Sequence, residues 1–400
     1  MLHILRRLLC LLLCLLMPMT ALAEASPSAE DLLAATFRRF STMGACVAVF
    51  ENGEVTYTYT YGTRTNGGEK VTEDTLFQVG SISKMVANMG LLQLMEAKDV
   101  PLDAEIGSVL GYEVRHPVYK SLPVTLRQLM THTAALRDSH LYNNALSGDG
   151  EPLEKLLTRQ RNFTFFSGYK PGYRRQYSNF GGGLIGSLIE KLSAQTLDDY
   201  MQEHVFAPLD ITAAFQPSRF AEDAPFADLY HMPKKKLAKR LSDDATCVET
   251  PDPEHHYFLT AGKLVISAPD LCKLLIALCD GGVCGNTRLL KESTVEEMLT
   301  VQNHRGSVSC KSGHGLFVNI IENDQVEGRT LYGHGGKAHG MLCAAYFDPT
   351  DRTGVVMLTN GCKNESMHNN VGMLGRQILS ICYEHIIDPT HETEDPFAVE

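Results

Sequence analysis

The sequence predicts an α/β (α+β) fold in which an antiparallel sheet flanked by helices is joined to a mostly helical domain. Runs rich in β-branched and aromatic residues lie near the start of the chain and again in its last quarter. The region between them carries helical periodicity and long polar loops. Because both ends supply strand-like runs and the middle does not, we expect one sheet built from the two ends of the chain.

The first hundred residues predict a helix, a hairpin and a second helix. Apolar side chains at 32–40 indicate the first helix. Two strand-like runs at 46–50 and 55–61 flank an Asn-Gly pair at 52–53, which favours a tight hairpin turn. From Ser81 to about residue 98, apolar residues recur every three or four positions, which predicts a helix that begins at Ser81.

The same patterns assign most of the other elements. Helices are predicted at 126–132, 184–192, 197–205, 271–278 and 371–387. Strands are predicted at 316–321, 342–347 and 355–358, with a turn at 348–351 between the last two. We therefore predict an α/β domain made of residues 30–102 and 258–388, a helical domain at 103–257 and an acidic tail at 389–400.

The N-terminus has the composition of a signal peptide. Arg6 and Arg7 precede an apolar run at 8–17, and Ala-Leu-Ala at 21–23 matches the small residues of a cleavage site. We expect residues 1–23 to be removed and the protein to be secreted or held in the cell envelope, with an uncleaved anchor as the alternative. No later segment is long and apolar enough to cross a bilayer, so no stable membrane span is expected after cleavage.

Charge and cysteine content exclude some functions. The net charge of -11 and the lack of a large basic cluster argue against binding to nucleic acid. Cysteines outside the signal segment are odd in number and include no CxxC pair, so they do not form a disulfide framework. Cys279 and Cys284 flank an Asp-Gly-Gly turn, which leaves a disulfide between them open.

The first candidate for chemistry is the SISK tetrapeptide at 81–84. On a helix, Ser81 and Lys84 share one face. A serine hydroxyl needs a base to take its proton, and a desolvated lysine can be that base. Gly80 allows a sharp turn into the helix, whose dipole favours negative charge on the attacked oxygen and disfavours the charged form of Lys84, by about 0.3–1 kcal/mol each.

A second S-x-x-K copy, Ser167 with Lys170, is the weaker candidate. Gly168 opposes a helix there, and Lys170 precedes a proline, which disfavours helical geometry. The other interpretation of Ser81 is an ordinary helix N-cap.

Two further motifs carry groups of catalytic use. Tyr177 and Asn179 stand in a Tyr-Ser-Asn tripeptide: a tyrosine near a serine and a lysine can relay protons, and an asparagine can hold a substrate amide. The GHGGK run at 333–337 places glycines where a strand edge can approach a substrate backbone closely. Taken singly, the Tyr-Ser-Asn tripeptide is explained by a loop beside the start of a helix. The glycine-flanked histidine is explained by a residue in a turn.

Taken together, the motifs resemble the penicillin-binding and serine β-lactamase superfamily, in its class C β-lactamase and D-alanyl-D-alanine carboxypeptidase branch. The resemblance covers nearly the whole mature chain and implies a β-lactamase-like fold. The similar segments are, in order, FQVGSISK at 77–84, LRQLMTHT at 126–133, KPG at 170–172, YSN at 177–179, Pro-Leu at 208–209 and GHGG at 333–336 with Gly340.

The resemblance also implies a role for each site residue. Ser81 is the residue to be acylated, and Lys84 and Tyr177 share the general-base and general-acid roles. Substrate binding falls to Asn179, which would hold the substrate amide, to His334, which stands where many β-lactamases carry a lysine, and to Gly335 and Gly336. The backbone N–H groups of Ser81 and Lys337 would form the oxyanion hole.

Four positions in three segments depart from the family pattern. Ala134-Ala135 replaces the usual Ser-Gly, Lys263 stands where a second glycine is common, and Lys337 stands where a small residue is usual. None of these changes touches Ser81, Lys84 or Tyr177, but Lys337 is expected to narrow or charge the cleft.

Three other classes of protein are alternatives to this interpretation. An α/β-hydrolase needs G-x-S-x-G, which no serine here satisfies. A metalloenzyme is not favoured because the chain lacks H-E-x-x-H, and no metal or other cofactor is expected. A non-catalytic or very slow penicillin-binding sensor on the same scaffold stays open.

The expected partner is a small-molecule or peptide substrate, such as one derived from the cell wall. Near pH 7 an unperturbed histidine is largely neutral, so His334 would anchor a substrate carboxylate less firmly than a lysine. This weighs toward D-amino-acid peptides or small esters over β-lactams.

Overall fold

The computed structural model describes residues 27–140, 142, 150–159, 165–302, 312–322, 325–363, 367–368 and 371–389. The predicted signal peptide and the acidic tail beyond residue 389 lie outside these residues. Helices in the described part are α1 Ala29–Arg39, α2 Ile82–Ala97, α3 Ile106–Leu110, α4 Leu126–Met130, α5 Leu153–Thr158, α6 Asn179–Ser193, α7 Leu197–Met201, α8 Ala268–Cys279, α9 Glu292–Leu299 and α10 Met373–Cys382. None of them is long and apolar enough to cross a membrane.

Strands occur as one large sheet and several short pairs. In chain order they are β1 Gly44–Glu51, β2 Glu54–Gly62, β3 Phe77–Gln78, β4 Ala213–Ala214, β5 Leu229–His231, β6 Lys236–Lys239, β7 Val265–Ile266, β8 Val283–Cys284, β9 Thr287–Arg288, β10 Ser312–His314, β11 Asn319–Glu322, β12 Thr330–Ala338, β13 Met341–Asp348, β14 Thr353–Thr359, β15 Met367–His368 and β16 Val371–Gly372.

The large sheet has seven antiparallel strands in the order β10-β11-β12-β13-β14-β1-β2. Strands from the two ends of the chain meet where β1 pairs with β14, with Val47 opposite Met357. The predicted fold class, an antiparallel sheet with helices, is confirmed. The division of the chain into two domains stays a prediction.

Alternating residues of β1 enter two different cores. Cys46, Ala48 and Phe50 pack in the core on the side of α2 and α8. Ala45, Val47 and Val49 pack in the core on the side of α1 and α10. Because side chains on a strand alternate between faces, a sheet covered on both sides needs an unbroken apolar strand such as this one. Burying each such valine contributes about 1.5–3 kcal/mol.

Most predicted elements are confirmed, and the hairpin turn follows from its residues. Asn52 and Gly53 have φ values of 51° and 87°, the left-handed pair that a two-residue turn with the right twist requires. The predicted helices at 32–40, 184–192 and 271–278 lie within α1 with its C-cap, α6 and α8.

Some elements differ from the prediction in their extent or type. The predicted strand at 316–321 begins only at Asn319, because Phe317 has a φ of 56° and its N–H donates to Met130 O. The last helix begins at Met373 because residues 371–372 pair with 367–368. The helix from residue 126 ends at Met130, and the one from residue 197 continues past Met201 as a wider π-helical turn.

The disulfide left open between Cys279 and Cys284 is not formed. Both thiols are free, and Cys279 Sγ donates to Asp348 O at 3.6 Å. The buried cysteines in the described part of the chain act as small packing residues, among them Cys46, Cys272 and Cys382, which are fully buried, whereas Cys247 is exposed.

Candidate active site

The turn into α2 brings Ser81 against the large sheet. Just before it, Val79 N–H donates to Leu264 O at 3.0 Å, which continues the pairing of β3 with β7. Gly80 has a φ of 56°, and a Cβ at Gly80 would lie 2.7 Å from Met341 Cε and 3.2 Å from the backbone nitrogen of Lys337. Only glycine fits this left-handed position without displacing the β12–β13 edge.

Ser81 is the N-cap residue of α2, yet its side chain makes no capping hydrogen bond. Instead, Tyr177 Oη donates to Ser81 Oγ at 2.7 Å, and Lys84 Nζ donates to the same oxygen at 3.2 Å. The neighbouring hydroxyl, Ser83 Oγ, takes the structural contacts, donating to Gly80 O at 2.6 Å and accepting from Leu264 N at 3.0 Å. An ordinary N-cap serine would bond to its own helix, so the geometry disfavours that interpretation.

Lys84 is fully buried and surrounded by neutral acceptors. Besides Ser81 Oγ, its ammonium donates to Asn179 Oδ1 at 2.9 Å and to Ala261 O. It also lies 5.1 Å from the centroid of the Tyr177 ring. No carboxylate of the described residues forms an ion pair with this lysine. The amine is therefore held by dipoles beside the serine, an arrangement suited to exchanging a proton with it.

The stem of Lys84 lies flat against α6 because that helix carries glycine at 182. A Cβ at Gly182 would lie 3.0 Å from Lys84 Cγ and 2.7 Å from Lys84 Cδ, and closer still to Cε. Gly181, the preceding residue, faces Leu129 and Ser178 at ordinary contact distances of 3.5–3.6 Å. Gly182 therefore sets the path of the lysine across the helix surface.

Asn179 is the first residue of α6 and is fixed on both sides of its amide. Its Oδ1 accepts from Lys84, and its Nδ2 donates to Asp138 Oδ2 at 2.8 Å. Asp138 also accepts from Ser178 Oγ at 3.0 Å and from Phe180 N at 2.9 Å. Asp138 thus orients Asn179. No sequence motif indicated this aspartate, which lies 41 residues away in an undistinguished loop.

The GHGGK motif at 333–337 lies on β12, beside the turn that carries Ser81. A Cβ at Gly336 would overlap the Val79 carbonyl oxygen, so this glycine permits the nucleophile turn to pack against the strand. Gly335 is also buried, whereas the Lys337 side chain is exposed. The glycines of this motif were expected to allow close approach of a substrate backbone. At Gly336 the backbone that approaches is the protein's own, at Val79.

His334 lies inside the protein rather than on the cleft surface, with 3% of the residue exposed. Its Nδ1 donates to Gly335 O at 2.6 Å. Burial lowers the pKa of His334 to about 3, and the nearby charges of Lys84 and Arg175 act in the same direction. The imidazole is therefore neutral over the ordinary range of pH.

Two residues that sequence reasoning left without a role pack on the Tyr177 ring. The His132 ring lies 4.4 Å from it, centroid to centroid, and the Arg175 guanidinium carbon lies 5.8 Å from its centroid. His132 belongs to the LRQLMTHT segment at 126–133. Its φ of 57° is a left-handed conformation, and this turn directs the ring toward Tyr177. These contacts fix the ring plane and so the direction of the hydroxyl.

In the second S-x-x-K copy, the serine and the lysine make separate contacts, unlike Ser81 and Lys84. Ser167 is 4% exposed, and within the described part of the chain its Oγ has no hydrogen-bond partner. Lys170 extends over the Tyr173 ring at 5.6 Å. Across the same described residues, no three His, Cys, Asp or Glu side chains converge as ligands of a metal ion would.

The neutral state of buried His334 predicts a loss of stability in acid. Below its ordinary pKa of 6.5 the unfolded chain binds a proton that the folded protein excludes down to about 3, so stability falls as the pH decreases from 6.5. We expect this residue to lower the free energy of unfolding by about 2 kcal/mol between about pH 7 and pH 5. Urea unfolding at both pH values should show a smaller loss for His334→Gln, and an equal loss in both proteins would contradict the assignment.

Known proteins are similar to this chain in sequence. A model of the Beta-lactamase family matches residues 33–379. Penicillin-binding protein 4 of Amycolatopsis lactamdurans is 26% identical over 336 residues, 80% of this chain and 81% of that protein. Esterase EstB of Burkholderia gladioli is 27% identical over 235 residues, 54% of this chain and 56% of that protein.

Solved structures agree at the level of the fold. The D-amino acid amidase from Ochrobactrum anthropi SV3, complexed with L-phenylalanine, superposes with a TM-score of 0.68 at 19% identity, over 90% of this chain and 98% of that one. The family match covers most of the sequence, from α1 to α10. The chain therefore belongs to the beta-lactamase family, a family of serine hydrolases.

Proposed function

We propose that this protein is an exported serine hydrolase that acts through an acyl-enzyme on Ser81. The observation that carries the proposal is the convergence of two proton-handling groups on one hydroxyl: Tyr177 Oη at 2.7 Å and Lys84 Nζ at 3.2 Å from Ser81 Oγ. A serine hydroxyl at the start of a helix, free of capping duty and held between an amine and a phenol, is suited to nucleophilic attack.

The proposed reaction has two stages. Ser81 Oγ attacks the substrate carbonyl while its proton passes to the Lys84–Tyr177 pair, and Tyr177 then returns a proton to the leaving group. Water next attacks the acyl-enzyme, and the serine is released. The backbone N–H groups of Ser81 and Lys337 would hold the developing oxyanion, for which each donor contributes about 3–4 kcal/mol.

We infer that the substrates are D-amino-acid peptides or small esters, with β-lactams as poorer substrates. His334 occupies the position where many β-lactamases carry a lysine, and the low pKa of its imidazole leaves it without the charge that would anchor a β-lactam carboxylate. Similarity to an esterase and to the fold of a D-amino acid amidase supports the same substrate classes. Lys337 is exposed beside the turn and would restore part of that charge.

The test is to measure both stages with a chromogenic ester and with a labelled β-lactam. We expect intact-mass analysis to show one acyl group per chain, and the ester to give a burst followed by steady turnover. Stoichiometric labelling without turnover on any ester or D-peptide would favour the penicillin-binding sensor instead. No labelling by either reagent would contradict an acyl-enzyme.

A further inference from the structure

A cavity of about 770 Å³ opens beside the nucleophile turn and takes no part in the chemistry described above. Its wall includes two lysines and one carboxylate at its centre, with a threonine, a phenylalanine and a histidine around them: Lys239, Asp244, Thr246, Phe258, Lys263 and His339.

The cavity wall is tied directly to the nucleophile turn. Gly262 packs against Gly80, because a Cβ at Gly262 would lie 3.6 Å from the Gly80 backbone. Gln78 Nε2 donates to Gly262 O at 2.8 Å, and Lys239 Nζ donates to Gln78 Oε1 at 2.9 Å. Lys263 is the next residue after Gly262, so Lys263 extends into the cavity from the segment that packs on Gly80, and Lys239 reaches it from β6.

The cavity and Tyr177 lie on opposite sides of the nucleophile turn along β12. Tyr177, the proposed donor to the leaving group, packs on His132, which lines a pocket together with His334 of β12. Residues 336–337 pack against the nucleophile turn, and His339, which lines the cavity, follows them along the chain. A leaving group protonated by Tyr177 departs on the Tyr177 side, so the acyl portion of the substrate would extend toward the cavity.

Charge in the cavity wall is not balanced. Lys239 Nζ and Lys263 Nζ approach one oxygen, Asp244 Oδ2, at 2.8 and 3.4 Å, so two ammonium groups share one carboxylate. Only 20%, 18% and 9% of the side chains of Lys239, Lys263 and Asp244 are exposed. Burial by itself would raise the pKa of Asp244, but the hydrogen bonds from Lys239 and Thr246 outweigh it and hold that pKa below its ordinary value.

The other carboxylates nearby contact other groups. Asp243 also lines the cavity, but it faces solvent, and it shares Arg240 with Asp228, at 3.5 and 3.6 Å. His255 and His256 are directed to Asp252 and Glu190. The Lys263 ammonium also contacts Thr246 Oγ1 at 2.8 Å and lies 5.1 Å from the Phe258 ring centroid, so it is held in place at the cavity wall. A positive charge left over in a half-buried wall attracts an anion.

We propose that this cavity binds an anionic group on the acyl portion of the substrate, and that Lys263 is the residue that selects it. The inference rests on the proposed function of Ser81 as the acylated residue. Binding would place a carboxylate or similar anion against Lys263 Nζ, completing two opposite-charge pairs among Lys239, Asp244, Lys263 and the substrate.

The experiment compares two activated esters with acyl chains of equal length, mono(4-nitrophenyl) glutarate and 4-nitrophenyl pentanoate. After correction for their uncatalysed hydrolysis, we expect wild type to favour the glutarate ester in kcat/KM, and added salt to reduce the preference. Lys263→Met should lower the glutarate-to-pentanoate ratio by about tenfold, the value of one charge-assisted contact. Lys263→Arg should keep most of it, and Lys170→Met, which removes an exposed lysine elsewhere, should leave the ratio unchanged.

The outcomes separate this inference from the proposed function. A wild-type preference for pentanoate, or an unchanged ratio in a folded Lys263→Met protein that hydrolyses both esters, overturns the inference and leaves the acyl-enzyme proposal standing. Failure of wild type to form an acyl-enzyme with either ester overturns both. The wild-type ratio and its salt dependence decide the question even if Lys263→Met does not fold.

Discussion

Replacing Ser81 with alanine is expected to abolish covalent labelling and to lower turnover by roughly 10⁴-fold or more, because the bond-forming oxygen is removed. The hydroxyl makes no capping bond, so the helix should not be weakened by its loss. Intact-mass analysis after incubation with a labelled β-lactam or ester, together with initial rates, measures both effects. Thermal unfolding of the same protein verifies that the fold is intact.

The matched control is Ser167→Ala, which alters the second S-x-x-K copy. Ser167 Oγ is buried without a hydrogen-bond partner in the described part of the chain, so labelling and turnover should stay close to wild type. Persistent labelling of Ser81→Ala, or its loss in Ser167→Ala with Ser81 intact, would refute the assignment of the nucleophile.

Replacing Gly182 with alanine is expected to lower kcat/KM by about 100-fold although no catalytic atom is changed. The new Cβ would lie 2.7 Å from Lys84 Cδ, so the lysine must leave the path that directs its ammonium to Ser81 Oγ. A displacement of about 1 Å at a catalytic group is enough for such a loss. Alanine is more favourable than glycine in a helix by about 0.5–1 kcal/mol. The expected loss of activity would therefore not come from a weaker helix.

Gly181→Ala is the control for this prediction. It makes the same chemical change one residue earlier in α6, where the added Cβ meets its neighbours at 3.5–3.6 Å. We expect it to keep nearly full activity. Equal activity in the two variants would show that Lys84 does not need its observed position, whereas equal losses would point to a general effect of substitution in α6.

Local sequence signals predicted many of the elements, but they did not predict β12 as a strand, and they did not give every boundary. The helix from Ser81 and the hairpin at 52–53 follow from spacing and turn residues alone, and both are present. The strand predicted from residue 316 begins three residues later, because Phe317 N–H bonds to Met130, which is distant in sequence. Apolar periodicity carries no information about such a partner.

The candidate site shows the same limit. The predicted residues Ser81, Lys84, Tyr177 and Asn179 lie together in the structure. The groups that hold them, Asp138 and the carbonyl of Ala261, come from ordinary loop positions that only the fold brings near. The departure from the family pattern at Lys263 was visible in the sequence, but its pairing with Asp244 was not.

The departure at Ala135 also has a structural consequence. Its φ of 58° is a left-handed conformation that glycine, the usual residue of the family pattern at this position, adopts without strain. Alanine there costs about 1–2 kcal/mol relative to a right-handed residue.

The most direct test of the acyl-enzyme is to locate the acyl group on the chain. Wild-type protein is mixed with a chromogenic ester or a β-lactam, quenched in acid and digested with trypsin. The peptide at 71–84 (VTEDTLFQVGSISK) contains both Ser81 and Ser83. Fragmentation of that peptide is predicted to place the whole added mass on Ser81 and none on Ser83, and the separate peptide that holds Ser167 is predicted to be unmodified. An adduct on any other residue, or hydrolysis of the substrate with no adduct trapped on Ser81 under any quench, would contradict the account.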